Sequence, residues 1–211
     1  GQLADRFFSA EKFMAALLLA GGVVQIVLAQ QTSFTMWVLL SVAYSICYMP
    51  TLALTNSISM AHLKDPSKGF PLVRLWGTIG WLAASWLFPL VWLLTDVRFQ
   101  ALPPFYAGTE VEGVTGRLSG AMVASGAISI VYAGYCFLLP NTPPKRDAVE
   151  SLAFGKAFGL LAKRSFLILM LAALPISIIH QIYFMQTAPF LADALGVSDS
   201  RILPVMTIGQ F

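Results

Sequence analysis

The sequence predicts an all-α chain, a bundle of transmembrane helices with five full spans and a partial sixth. Hydrophobic residues make up 57% of its 211 residues and charged residues only 11%, whereas ordinary soluble domains carry about 25% charged residues. The mean hydropathy is +0.75. Apolar stretches of about 20 residues recur along the chain, and such a stretch crosses about 30 Å of hydrocarbon as a helix. These observations predict a multi-pass membrane chain.

Five apolar stretches predict the spans in chain order. They are Phe13–Ala29, Phe34–Met60, Pro71–Thr95, Leu118–Leu139 and Phe166–Leu191, and a sixth begins near Ile202. Each is predicted to be helical because an isolated strand in lipid would leave backbone groups without hydrogen-bond partners. The stretches do not alternate in the way that a transmembrane β-barrel requires.

Basic residues predict the orientation of the spans. One set of connections holds nine of them: Arg6, Lys12, Lys64, Lys68, Lys145, Arg146, Lys156, Lys163 and Arg164. The opposite set holds Arg98, Arg117 and Arg201. The positive-inside rule therefore assigns the first set to the cytoplasm. The net charge of +3 is too small to favour a nucleic-acid partner.

Two connections are long enough to matter for the organisation of the chain. Residues 140–165 are basic and open with three prolines, which predicts a cytoplasmic linker between two halves, with residues 1–139 in the N-terminal half and residues 166–211 at the start of the C-terminal half. Asp96–Arg117, on the outer side, is rich in glycine and proline and is predicted to be an ordered or mobile loop without chemistry.

Arg74 is the strongest functional signal, because it stands near the head of an apolar stretch with no further charge until Asp96. A charge within a membrane helix costs about 2.5–3.5 kcal/mol on insertion scales and usually faces a cavity or a partner. Thr78 and Trp81 follow at i+4 and i+7, on the same helical face. This combination predicts a polar ligand site. The alternative is an arginine that reaches back to the lipid phosphates.

Other kinds of site are not indicated. The sequence has no phosphate-binding loop, metal-ligand spacing or serine–histidine–carboxylate set, so no enzyme, metal or cofactor is predicted. Cys47 and Cys136 lie in apolar stretches and are interpreted as packing residues. None of the ten acidic residues lies clearly within a predicted span. His180 is then a possible group on a proton path, and the alternative, which histidines in such positions more often follow, is a structural role.

Gly1-Gln2-Leu3-Ala4-Asp5-Arg6 resembles the first half of a cytoplasmic signature of the major facilitator superfamily. The resemblance implies that Gly1, Asp5 and Arg6 belong to a cytoplasmic gate motif. The sequence departs from the signature at the next position, where Phe7 replaces the usual glycine. The alternative is a solvated turn that only fixes the orientation.

Two further strings narrow the resemblance. Tyr48-Met49-Pro50-Thr51-Leu52-Ala53-Leu54-Thr55-Asn56 and Phe70-Pro71-Leu72-Val73-Arg74-Leu75-Trp76-Gly77-Thr78-Ile79-Gly80-Trp81 look like the fourth and fifth helices of the bacterial nucleoside:proton symporter family. The resemblance covers Gly1–Phe211 and implies a segment of a twelve-helix transporter, from the end of helix two to the start of helix eight. It further implies a multi-pass protein of the inner membrane, in contact with lipid and monomeric at full length, that carries nucleosides with protons by alternating access.

The resemblance also implies a set of substrate-binding residues: Arg74, Thr78, Trp81, Gln181, Phe184 and Gln210. Phe184 stands where one branch of the family has an asparagine, so that polar contact is lost or replaced. An acidic proton acceptor is expected beyond Phe211. Two other functions remain open at this point: a facilitator for a sugar, drug or other metabolite, and a membrane receptor without transport.

Overall fold

The computed structural model describes residues 8–100, 105–143 and 159–208. Within these ranges six α-helices and one pair of strands form. The helices are α1 Ala10–Leu28, α2 Phe34–His62, α3 Pro66–Phe88, α4 Val114–Cys136, α5 Arg164–Pro189 and α6 Asp199–Ile208. The strands are β1 Leu94–Phe99 and β2 Tyr106–Glu110. Of the predicted linker, residues 144–158 lie outside the described ranges.

Five of the helices are long and apolar enough to cross a membrane, which confirms the predicted span count. These spans are Ala10–Leu28, Phe34–His62, Pro66–Leu93, Gly116–Cys136 and Arg164–Ala194. They differ from the predicted ranges mainly at their ends. The first begins early enough to include Glu11 and the last ends late enough to include Asp193, so the expectation that no acidic residue lies within a span needs correction at these two helix ends.

Contacts between Cα atoms group the described residues into two compact units. One takes the described parts of Gly1–Gly77 and Thr115–Val149, and the other takes those of Thr78–Val114 and Glu150–Phe211. The second unit thus combines residues from both of the halves that the sequence predicts. The boundary of the predicted halves, at residues 140–165, stays a prediction.

In the first unit, α1 packs between α2 and α4. Its buried residues Met14 and Ala15 share a core with Leu54 and Ile58 of α2 and with Cys136 at the end of α4. Long apolar helices associate in lipid mainly through such close packing, since burial from water contributes little there.

The crossing of α1 with α4 depends on two glycines. A Cβ added at Gly22 would lie 2.7 Å from the carbonyl oxygen of Gly126, and one added at Gly126 would lie 2.7 Å from that of Gly22. The hydroxyl of Ser129 donates to the carbonyl of Leu18 across the same crossing, at 2.9 Å. Small residues therefore bring the two backbones into direct contact.

The start of α1 is tied to the segment that follows α4. The backbone N–H of Ala10 donates to the carbonyl of Thr142 at 3.2 Å, and the N–H of Thr142 donates to the carboxylate of Glu11 at 3.0 Å. Glu11 is only 4% exposed. A carboxylate in the first turn of a helix also complements the helix dipole, so Glu11 stabilises this end of α1.

The connection that is predicted to lie on the outer side forms a β-hairpin, and the prediction of an ordered or mobile loop was incomplete. Leu94 pairs with Glu110 and Phe99 with Tyr106 in antiparallel register. The register shifts between Thr95 and Arg98, where Asp96 adopts a φ of 53°. Such an irregularity lets a strand bend without losing its partner.

Two of the long helices end in a wider, π-helical turn. Pro89–Leu93 continues α3 in this form, and Phe190–Ala194 continues α5. A proline stands at or just before each of these turns, at Pro89 and Pro189. Because proline has no N–H to donate and crowds the preceding turn, a local change of the helical hydrogen-bond pattern is expected there.

Candidate functional site

Asp65, the residue immediately before α3, fixes the start of the helix that carries the predicted site. The carboxylate of Asp65 accepts hydrogen bonds from the hydroxyl and from the backbone N–H of Ser67. Pro66 is the first residue of the helix, a position that suits proline because no N–H is needed there. The hydrogen bond from the Ser67 hydroxyl holds the pKa of the Asp65 carboxyl below its usual value.

Arg74, Thr78 and Trp81 all lie on the uninterrupted part of α3. Their spacing of four and three residues keeps them on one side of the helix. All three side chains are exposed, Trp81 at 45%. Gly77 lies close to this side, and a Cβ added there would meet no atom within 4 Å. The face therefore presents a cation, a hydroxyl and an aromatic ring beside an open space.

Gln181 and Phe184 lie one turn apart on α5, and both are exposed. The ring of Phe184 meets the ring of His180 edge-on, with 4.8 Å between centroids, and meets Tyr183 edge-on at 5.6 Å. Phe184 thus offers an aromatic surface where the resemblance expects an amide in one branch. His180 has an aromatic contact within its own helix, which favours the structural interpretation of this residue without deciding it.

Not every predicted residue can be placed. Gln210 and the cytoplasmic gate motif of Gly1, Asp5 and Arg6 lie outside the described residues. Arg74 belongs to the first unit, whereas the predicted residues on α5 belong to the second. A common site formed by α3 and α5 therefore stays a prediction.

The structure adds an open, mainly apolar groove with a few polar side chains on α5, which the sequence analysis missed. This groove, of about 470 Å³, is lined by Ile182, Tyr183, Gln186, Thr187, Pro189, Phe190, Asp193 and Ala194. The Thr187 hydroxyl donates to the carbonyl of Tyr183 at 2.6 Å, and the side chains of Tyr183, Gln186 and Asp193 also carry polar groups in the lining. The signal was present in the sequence, since Asp193 follows the predicted span by only two residues.

Potential metal ligands do not form a cluster in the described part of the chain. Within residues 8–100, 105–143 and 159–208, no three His, Cys, Asp or Glu side chains come close enough to hold a metal ion. Cys47 and Cys136 are both free thiols.

Known proteins resemble this chain in amino-acid sequence. The amino-acid sequence matches the nucleoside H+ symporter family over residues 1–211. The chain belongs to this family. It is 31% identical over 214 residues to the putative nucleoside transporter YegT of Escherichia coli (strain K12), with 100% of this chain and 46% of YegT covered. It is 29% identical over 204 residues to the xanthosine permease of the same organism, covering 92% of this chain and 43% of the permease.

A solved structure supports the fold of the nucleoside H+ symporter family for this chain. The crystal structure of a mutant of the nucleoside transporter NupG matches with a TM-score of 0.75 and 23% identity, covering 99% of this chain and 50% of NupG. At this identity the likeness shows the fold alone. The chain spans about half the length of the relatives that it matches.

Three predictions from the sequence are confirmed by these matches. The chain is a member of the nucleoside H+ symporter family, as the two helical strings indicated. Its fold is that of a helical transporter. It belongs among transporters and permeases and not among enzymes, and with five membrane-length helices it is a multi-pass membrane chain.

Proposed function

We propose that the protein to which this chain belongs carries nucleosides across the bacterial inner membrane together with protons, by alternating access. The observation that carries the proposal is the family match over all 211 residues. The relatives whose names state a substrate support it, since YegT and NupG are called nucleoside transporters and a third is a xanthosine permease. The full-length protein is proposed to act as a monomer, which light scattering on the purified protein tests.

The side of α3 with Arg74, Thr78 and Trp81 is proposed to bind the nucleoside. A nucleoside combines a flat base with a ribose that carries several hydroxyl groups. Trp81 offers a surface for stacking of the base, and Arg74 and Thr78 offer donors for the oxygens of the ribose or base. Gln181 and Phe184 on α5, together with Gln210, are proposed to complete the site.

The depth of Trp81 in the membrane supports the proposal. At a rise of about 1.5 Å per residue, Trp81 lies about 22 Å from the start of the span Pro66–Leu93, which is about 42 Å long. Trp81 is therefore close to the midpoint of the span. In transporters of this kind the substrate site lies near the bilayer midplane, between two halves that rock around it.

The coupled proton needs a group that changes its charge during transport. His180 on α5 is proposed as a member of the proton path, because an imidazole can both accept and donate a proton. Asp193, in the groove at the outer end of the same span, is a second candidate in the described residues. Proton relays in transporters are commonly built from such ionisable groups within spans.

Transport by the full-length protein in proteoliposomes tests the proposal. We expect labelled uridine or adenosine to accumulate under an inward-directed proton gradient, and the accumulation to collapse when a protonophore is added. An excess of unlabelled nucleoside should compete with uptake, whereas an excess of maltose should not. Uptake of sugar in place of nucleoside would identify a different facilitator, and saturable nucleoside binding without accumulation would identify a receptor.

A further inference from the structure

The outer side of the second unit contains a polar cluster that the substrate site does not use. The indole Nε1 of Trp86 in α3 donates to the hydroxyl oxygen of Thr207 in α6 at 2.8 Å. The backbone N–H of Ser200, in the first turn of α6, donates to the carboxylate of Glu110 in β2 at 2.8 Å. The hydroxyl of Tyr106 donates to the carbonyl of Trp86 at 3.3 Å. The first two bonds join α3 and the hairpin to α6, and the third joins the hairpin to α3.

The face of α6 that takes part in this contact is the buried one. Ser200 is 2% exposed and Thr207 is 1% exposed, and Pro204, one turn from each along the helix, is fully buried. α6 contacts the wide turn Pro89–Leu93 at the end of α3. The Glu110 carboxylate lies at the N-terminal end of α6, where the helix dipole favours a negative charge. The contact therefore combines apolar packing with hydrogen bonds, and these bonds determine which residues of α6 face α3 and the hairpin.

The hairpin is held against α3 by aromatic rings. Phe105 stacks on Trp86 with 5.6 Å between centroids, and Tyr106 meets Trp86 edge-on at 6.1 Å. Phe105 has a φ of 63°, a conformation that a bulky residue adopts only where its surroundings hold it. Burial raises the pKa of the Tyr106 hydroxyl, so this hydroxyl stays protonated and able to donate.

We propose that Trp86, Glu110, Ser200 and Thr207 form an outer latch, which closes the external entrance of the carrier and opens whenever the carrier faces outward. The inference rests on the proposed function, because it needs two halves that rock against each other. α3 and the hairpin belong to the predicted half 1–139, and α6 belongs to the predicted half 166–211. Rocking that opens the outer side separates these elements and breaks the hydrogen bond from Trp86 to Thr207 and the one from Ser200 to Glu110.

The strength of the latch follows from its hydrogen bonds. Loss of one hydrogen bond should change the ratio of outward-open to outward-closed molecules about 2- to 12-fold. This range corresponds to the net contribution of one such bond, about 0.5–1.5 kcal/mol. Trp86→Phe and Thr207→Val remove the same bond from its two ends, and Phe can retain the stacking on Phe105. Glu110→Gln keeps an acceptor for Ser200 but removes the charge at the end of α6, so its effect should be smaller than that of Glu110→Ala.

Spin-label distance measurements on the full-length protein test the latch. Labels are attached at Thr109→Cys on β2 and Arg201→Cys on α6, in a background without other cysteines; both residues are exposed. We expect Trp86→Phe and Thr207→Val each to raise the ratio of long to short distances about 2- to 12-fold. Ser177→Ala is the matched control, because the Ser177 hydroxyl donates to the carbonyl of Ala173 in its own helix at 2.9 Å, and it should leave the ratio unchanged.

The outcomes separate the latch from the proposed function. Unchanged distances in both latch variants, or an equal change in Ser177→Ala, overturn the latch. The distances are measured without substrate, so a protein that fails to bind nucleosides but shows the expected shift keeps the latch and loses the proposed function. A protein that transports nucleosides with unchanged distances keeps the proposed function and loses the latch.

Discussion

Arg74 lies eight positions after Pro66, about 12 Å along α3 at a rise of about 1.5 Å per residue. The span Pro66–Leu93 is about 42 Å long. Centred on a hydrocarbon layer of about 30 Å, it places the Arg74 backbone about 6 Å inside the layer. A side chain as long as that of arginine can still reach the phosphates from this depth. Depth alone therefore leaves both interpretations of Arg74 open, and binding by variants decides between them.

Arg74→Ala is expected to weaken nucleoside binding about 10- to 150-fold, because hydrogen bonds to a charged group contribute about 1.5–3 kcal/mol. Arg74→Lys should recover part of the affinity, since lysine keeps the charge but lacks the planar set of donors. Equilibrium binding of labelled nucleoside to the purified full-length variants measures this. Arg98→Ala, at an exposed arginine of the hairpin, is the control. Equal affinity in all three variants would mean that Arg74 only contacts lipid.

Trp81→Ala is expected to weaken nucleoside binding about 5- to 150-fold, because stacking of a base on an aromatic ring contributes about 1–3 kcal/mol. Trp81→Phe should retain most of the affinity. Trp76→Ala is the control, since it removes an indole of the same helix that is 73% exposed and lies on a different side. The affinity of this variant for nucleoside should stay close to that of the unaltered protein. If Trp81 only packs against a neighbouring helix, Trp81→Ala will lower the melting temperature and leave the affinity unchanged.

At the scale of elements, the sequence was sufficient for the five spans because length and hydropathy determine which segments can enter lipid. The hairpin was missed for a physical reason. β1 follows the apolar stretch of α3 without a polar break at Leu94, so hydropathy shows no change where the backbone changes from helix to strand. The π-helical turns arise from a shift of backbone hydrogen bonds, which hydropathy does not register, although Pro89 and Pro189 stand beside them.

The candidate site was predictable only where it is local. Arg74, Thr78 and Trp81 lie on one helix, so the spacing alone gathers them on one face. The predicted residues on α5 came from the family resemblance, because no pattern within α3 indicates which other helix it faces. The outer latch joins Glu110 to Ser200 across 90 positions of the chain, and a contact so distant in sequence leaves no local pattern.

The crossing of α1 and α4 gives a prediction for stability. Gly22→Ala is expected to lower the free energy of unfolding by about 1–3 kcal/mol, because the new methyl group would press on the Gly126 backbone. The control is Gly134→Ala in α4, where an added Cβ meets no atom within 4 Å. Since alanine favours helix over glycine, this variant should melt at the same or a slightly higher temperature. Thermal unfolding in detergent measures both, and an equal loss in the two variants would contradict the close crossing.

At the scale of the whole molecule, the predicted orientation in the membrane determines which connections face the cytoplasm and which face the outside. Nine basic residues on one set of connections against three on the other assign the segment around Lys64 to the cytoplasm and the hairpin to the outside. The latch closes the external entrance only if this assignment holds. If the chain had the opposite orientation, the same contacts between the hairpin and α6 would close the cytoplasmic entrance.

Cysteine labelling on intact cells tests the orientation. In the full-length protein with Cys47, Cys136 and any other cysteine replaced, a membrane-impermeant maleimide should label Glu112→Cys and leave Lys64→Cys unlabelled, and both should react after permeabilisation. Both positions are exposed, so protection must come from the membrane and not from packing. Lys64→Cys leaves eight basic residues against three, an excess that still directs the orientation. Labelling of Lys64→Cys alone would reverse the assignment and place the latch on the cytoplasmic side.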